Sequence, residues 1–125
     1  MFSNATAVAT VAVRDLARAK AFYGDILGFP LAQEAMGVAT YKTGGSKLFV
    51  YESAFYGTNK ATSVTFPIED VSAVAADLKA KGVSFEHYDN VPGLRLEGDV
   101  YVGDGMEVAW FTDPDGNILS IVSDG

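Results

Sequence analysis

Few side chains in this 125-residue chain could carry chemistry, and they are worth taking first. His87 is the single histidine, set in "FEHYDN" with Asp89 close by. A Ser-His-Asp triad would need a serine nucleophile converging on that pair, and no G-x-S-x-G elbow occurs anywhere. With no cysteine, disulfides, thiolate metal sites and a Cys nucleophile are all removed together. For acid–base work His87 is the best single candidate, with Glu107 and Glu52 behind it. One histidine does not make a two-His-one-carboxylate iron site unless a second copy supplies the other. The 13 glycines never form a G-x-x-x-x-G-K-[ST] loop, and "GDGMEV" and "GLRLEGDV" read as turns. The expectation is a chain without metal or cofactor.

A less obvious candidate sits in the closing segment, "FTDPDGNILSIVSDG". Asp113-Pro114-Asp115-Gly116 is a tight turn, with Pro presetting φ and Gly free to take a positive φ. The strand after it is too apolar to be solvated on either face, yet Ser120 places a hydroxyl in its middle.

The elements that would position these residues come as a repeat. "VAVRDLARAKAFYGDILGF" and "FPIEDVSAVAADLKAKGVSF" share one plan: an apolar strand, an acidic residue, a helix, then a glycine. Asp15 and Asp70 suit the N-cap position. Leu16, Ala19, Phe22, Tyr23, Ile26 and Leu27 keep a 3.6-residue period, as do Val71, Val74, Ala75 and Leu78. Gly28 and Gly82 stand where a left-handed C-cap is wanted. Strand patterns follow at roughly 30–34, 37–43 and 47–52, then at 83–89, 100–102, 106–112 and 117–122. The stretch "DNVPGLRLEGDVYVGDG" reads as a loop over a site or an irregular hairpin. The plan is βαβββ–βαβββ in one α+β domain over 1–125, with halves of about 1–58 and 59–125.

Composition narrows the function. The chain is 49% apolar and 20% charged, as in a soluble globular domain. No apolar run nears the length of a membrane span, and the start lacks a basic segment followed by a cleavable apolar one. A cytoplasmic location is the default expectation. The net charge is −7, and the nine basic residues are scattered, so no positive patch exists to grip nucleic acid or an anionic membrane.

With the repeat, "DLARAKAFYGDILGF" and "WFTDPDGNILSIVS" in view, the chain resembles the vicinal oxygen chelate superfamily. That superfamily holds glyoxalase I, bleomycin-resistance proteins, extradiol dioxygenases and fosfomycin-resistance enzymes. The resemblance implies a curved mixed sheet around a cup, with helices on its outer face and one metal ligand on each of four strands. Carried over by motif offset, those ligand positions fall on Val8, on Phe49 or Tyr51, on Ser63 and on Ser120. Neutral hydroxyls are poor ligands, and Val and Phe are none, so the metal-dependent branch is not supported. Glu52 could serve only if the register slips by one residue, and Glu107 only if it faces the cup.

Period-2 alternation selects the same face independently of the resemblance. Ala9, Val11 and Val13, Leu48 and Val50, Val64, Phe66 and Ile68, and Leu119 and Ile121 form apolar faces suited to burial under helices. The opposite faces mix hydroxyls and aromatics. Val8, Thr10, Phe49, Tyr51, Ser63, Thr65, Trp110 and Ser120 are therefore the expected ligand-binding residues, with Tyr41, Phe55, Tyr56, Tyr88 and Tyr101 on or near the same wall. Such a wall suits a small, mostly apolar or aromatic molecule held by stacking and a few hydroxyl groups. The expected function is metal-independent binding, sequestration or sensing of such a molecule by a homodimer, as the bleomycin-resistance branch implies. The alternative is a glyoxalase-like lyase or isomerase, or a dioxygenase-related enzyme, with its metal or acid–base residues elsewhere.

Overall fold

A computed structural model describes residues 1–89 and 91–123; Asn90, within the stretch expected to be a loop or hairpin, lies outside the described residues. The first repeat runs β1 (Ala9–Val13), α1 (Leu16–Ala19), a π-helical segment (Lys20–Ile26), β2 (Leu31–Ala35), β3 (Val38–Thr43) and β4 (Ser46–Glu52). The second runs β5 (Thr62–Ile68), α2 (Val71–Ala80), β6 (Phe85–Glu86), β7 (Arg95–Glu97), β8 (Val100–Gly103), β9 (Met106–Thr112) and β10 (Ile118–Ser123). The α+β class and the doubled plan are as expected. The strands form two mixed sheets, one per repeat, in the orders β1-β4-β3-β2 and β5-β10-β9-β8-β7, with β6 also paired to β9.

Local chemistry explains the elements. Asp15 and Asp70 accept from the backbone N–H groups of Arg18 (2.8 Å) and Ala73 (3.0 Å), as N-caps do. Gly82 ends α2 at φ 88°, a conformation open to glycine without strain. The first helix departs from the 3.6 period. From Lys20 it widens to π geometry, shown by the Leu27 N–H donating to the Phe22 carbonyl five residues back at 2.9 Å. The wider turn lets the neighbours Phe22 and Tyr23 both enter the core, at 4% and 0% exposure. The stretch left open between loop and hairpin is a hairpin, β7 paired antiparallel to β8, and β8 extends the sheet through β9.

One core spans both repeats. Val11, Val13, Leu48 and Val50 join Val64, Leu119, Ile121 and Phe111 in a single buried cluster under the helices. Phe22 of the first repeat meets Phe111 of the second at 6.4 Å between ring centroids.

The repeats are also joined by the Asp113–Gly116 turn. The buried Asp113 carboxylate accepts four hydrogen bonds. Oδ1 takes the N–H groups of Asp115 and Asn117, each at 2.9 Å. Oδ2 takes the Tyr23 hydroxyl at 2.7 Å and the Asn117 amide at 2.8 Å. That amide also donates to the Ala12 carbonyl of β1 at 2.7 Å. Asp115 receives the Arg14 N–H at 2.9 Å and pairs with Arg18 at 3.1 Å. The turn fits so closely that a Cβ on Gly57 would lie 2.3 Å from the Asp115 carbonyl oxygen, and Gly57 adopts φ 66° besides.

Burial, then the neighbouring Asp113 charge and hydrogen bond, push the Tyr23 phenol well above its ordinary value of 10. The folded state holds that proton more tightly than the unfolded chain, so this stability is complete below pH 10 and is lost as pH rises beyond it. Tyr23→Phe should cost about 1.5–3 kcal/mol in urea unfolding at neutral pH and should flatten the alkaline limb of the stability profile. Asp113→Ala, which strands buried donors from both repeats, should cost about 3 kcal/mol or more.

Candidate functional site

Turning away from the core, each sheet presents a second face. On the second sheet the ladders set Thr65 opposite Ser120, and Ser120 opposite Trp110. The Thr65 and Ser120 hydroxyls lie 2.8 Å apart. Ser120 is only 3% exposed, whereas Thr65 is exposed and Trp110 half-buried. Ser120 therefore acts on this wall by holding Thr65 rather than by offering a free hydroxyl.

The indole is braced on several sides. Its Nε1–H donates to Thr62 Oγ1 at 3.2 Å. The Tyr88 and Tyr101 rings meet it edge-on at 5.2 and 5.3 Å. Tyr101 is fixed in turn through its hydroxyl, which donates to the Tyr88 carbonyl at 3.0 Å and accepts the Tyr88 N–H. Burial first, then the charge of Glu86, raises the Tyr88 phenol above its ordinary value and keeps it neutral. Ser63, half-buried, accepts from Asn59 at 3.1 Å.

On the first sheet Thr10 stands opposite Phe49, and Ala12 opposite Tyr51. Thr10 is exposed, and Phe49 and Tyr51 are half-buried. Val8 lies just ahead of β1, its carbonyl 3.4 Å from the Thr10 hydroxyl. The expected wall residues thus fall in two groups: Thr10, Phe49 and Tyr51 on one sheet, and Ser63, Thr65, Trp110 and Ser120 on the other. Among the described residues no side-chain hydrogen bond links the two groups.

The acid–base candidates lie elsewhere. Glu52 Oε2 accepts the Leu16 N–H at 3.0 Å, at the start of α1. Glu107 shares the face of Ala109 and Phe111 and receives the Ser72 hydroxyl of α2 at 3.2 Å. His87 Nε2 sits 2.8 Å from Asp99, which Lys79 also reaches at 3.2 Å. The hydrogen bond from His87 is the main cause that lowers the Asp99 carboxyl below its ordinary value. Among the described residues no hydrogen bond links these three to one another or to the expected wall residues, although His87 directly precedes Tyr88, which packs on Trp110. Among the described residues no three His, Cys, Asp or Glu side chains group to hold a metal. The hydroxyl and aromatic groups of the wall do not fit one either.

Sequence reasoning missed Thr62 as the partner of Trp110. Thr62 pairs with Ile118 just ahead of an irregular step in the β10–β5 ladder, which no spacing rule announces.

A model of the Glyoxalase/Bleomycin resistance protein/Dioxygenase superfamily matches residues 6–121. No curated protein matches the chain. Among solved structures, it is similar to TnmS3, an antibiotic binding protein from Streptomyces sp. CB03234, at 24% identity and TM-score 0.68, covering 100% of this chain and 99% of that one. It is similar to a bleomycin resistance determinant encoded on the transposon Tn5, at 20% identity and TM-score 0.69, covering 95% and 97%. Lactoylglutathione lyase from Agrobacterium tumefaciens aligns at 19% identity and TM-score 0.71, covering 96% and 93%. At these identities the likeness is one of fold, and this fold hosts both binding and catalysis.

The Thr65–Ser120 pair predicts a measurable coupling. Thr65→Val leaves the buried Ser120 hydroxyl without that partner and should cost about 1–2 kcal/mol in denaturant unfolding. Adding Ser120→Ala should recover most of that loss. Additive losses in the double variant would show that the two hydroxyls do not satisfy each other.

Proposed function

The chain belongs to the Glyoxalase/Bleomycin resistance protein/Dioxygenase superfamily, and on that premise we propose that it binds a small, mostly apolar or aromatic organic molecule without a metal. The observation that carries this reading is the braced, half-buried indole of Trp110, on the same face of the second sheet as the Thr65–Ser120 hydroxyl pair. Two tyrosine rings fix the orientation of the indole, so what it leaves half-exposed would meet a flat ligand at little cost in side-chain entropy. Phe49, Tyr51 and Thr10 offer the same chemistry on the other sheet. None of the described residues named on this wall is a lysine or arginine, and Lys42 and Lys47 share its alternation only at the end of the first sheet, so Trp110 and Thr65 favour neutral ligands over strongly anionic ones.

The same reading takes the protein as a cytoplasmic homodimer, in which paired walls from two copies would enclose a ligand that one open wall leaves half-solvated. A lyase or isomerase would need metal donors or a general base on that wall. Glu52 and Glu107 are bonded to the first turns of the two helices, and His87 to Asp99, contacts that favour a structural use of all three.

Trp110 is the only tryptophan, so its emission reports on the wall directly. Titration with neutral planar heteroaromatics should give saturable quenching. Trp110→Ala, followed by calorimetry, should weaken binding about tenfold, as befits one aromatic contact and its buried area. An affinity unchanged by Trp110→Ala and by Tyr51→Ala would overturn the reading. So would turnover of a hemithioacetal that Glu52→Gln abolishes.

A further inference from the structure

The wall of the second sheet has one more member, and it is charged. The ladders align Thr65, Ser120, Trp110 and Glu86 in a single row across β5, β10, β9 and β6. Residues directly opposite each other in a ladder project from the same face. The adjoining pair fixes which face this is. Phe85 packs on Phe111 of the core at 5.9 Å between ring centroids, so Glu86 and Trp110 project together from the other side.

Glu86 is the one charged side chain on that face among the described strand residues of this sheet. Arg95 and Glu97 flank Leu96, which stands opposite Tyr101, and Glu107 shares the face of Phe111, so all three point the other way. Arg95 and Glu97 also pair with each other at 2.7 Å. His87, the next residue along the chain, is taken by Asp99. Glu86 itself is half-buried and makes no ion pair among the described residues. Its charge nevertheless reaches the aromatic cluster, where it is the second cause, after burial, that raises the Tyr88 phenol.

A carboxylate partly withdrawn from water is stabilised by a counter-charge. Aromatic faces, indole above all, attract cations through the ring quadrupole. One positive charge on the ligand would satisfy both. We infer that Glu86 determines the charge specificity of the wall, whose preferred ligand is a planar aromatic cation lying against Trp110 with its positive centre towards the Glu86 carboxylate. This rests on the binding reading above and deepens it, adding a preference for cations over neutral ligands.

Three probes built on one ring system separate charge from shape: N-methylquinolinium, a permanent cation; quinoline, uncharged near neutral pH; and quinaldate, an anion. Their affinities are read from the Trp110 indole N–H signal by nuclear magnetic resonance at low ionic strength. The cation should bind about fivefold more tightly than quinoline, and quinaldate more weakly than either. Glu86→Gln should bring the cation to within about twofold of quinoline and leave the affinity for quinoline unchanged. Asp25→Asn, which removes the same charge from the exposed surface of the π-helical segment, should keep the preference. Equal binding of cation and quinoline overturns the inference. So does a preference that survives Glu86→Gln or is lost equally with Asp25→Asn, because either assigns it to the net charge of −7. In those cases quinoline still binds at Trp110 and the broader reading stands. No saturable indole shift with any probe overturns the binding reading and this inference with it.

Discussion

The Asp113 carboxylate bears on both repeats at once, and the rest of the structure is arranged around keeping it satisfied. A buried charge without a cation beside it is tolerable only when its oxygens are fully hydrogen-bonded. Here the donors come from the turn itself, from Asn117 and from Tyr23 on the first helix. Asn117 then reaches the backbone of β1, and Arg14 and Arg18 close on Asp115. A hairpin turn in one repeat is thereby tied to the first helix and to β1 of the other.

That clamp has consequences for both faces of the sheets. On the helix side it brings Phe22 against Phe111, so that one core serves two sheets. The π-helical widening belongs to the same arrangement, because Tyr23 and Phe22 must both point inward. On the other side, β10 leaves the turn directly into the wall, and its third residue, Ser120, stands between Trp110 and Thr65 and bonds to the Thr65 hydroxyl. On this face the strands carry a serine, a threonine and an indole, groups suited to contact with a ligand and poorly suited to coordinating a metal.

Much of this was legible in the sequence, for physical reasons that can be named. The repeat showed because each half needs its own cap, amphipathic helix and terminating glycine, and all three leave marks at fixed offsets. The faces showed because a strand that buries one side must alternate, as Val11 and Val13 do against Thr10 and Ala12. What stayed hidden depends on contacts distant in sequence. The role of Asp113 as a clamp needs Tyr23, ninety positions away, and the DPDG pattern alone reads as a turn. Glu52 and Glu107 read as acid–base candidates because a bond from a neighbouring strand to a helix start, Glu52 to the Leu16 N–H and Glu107 to the Ser72 hydroxyl, has no local signature. A cleft of about 610 Å³ between the π-helical segment and α2 is hidden for the same reason: Ile26, Phe29, Ile68 and Val74, which line it, each look like ordinary core residues in their own element.

The central claim is that the wall works through hydroxyl and aromatic contact, without a metal. Elemental mass spectrometry of the purified protein tests it most directly, before and after reconstitution with Zn²⁺, Ni²⁺, Mn²⁺ and Fe²⁺, with melting temperatures measured alongside. A metal that binds the native state raises the melting temperature by mass action. The account predicts sub-stoichiometric metal and an unchanged melting temperature for every ion. Near-stoichiometric metal with a clear upward shift would contradict it and would return the protein to the metal-dependent branch of its family.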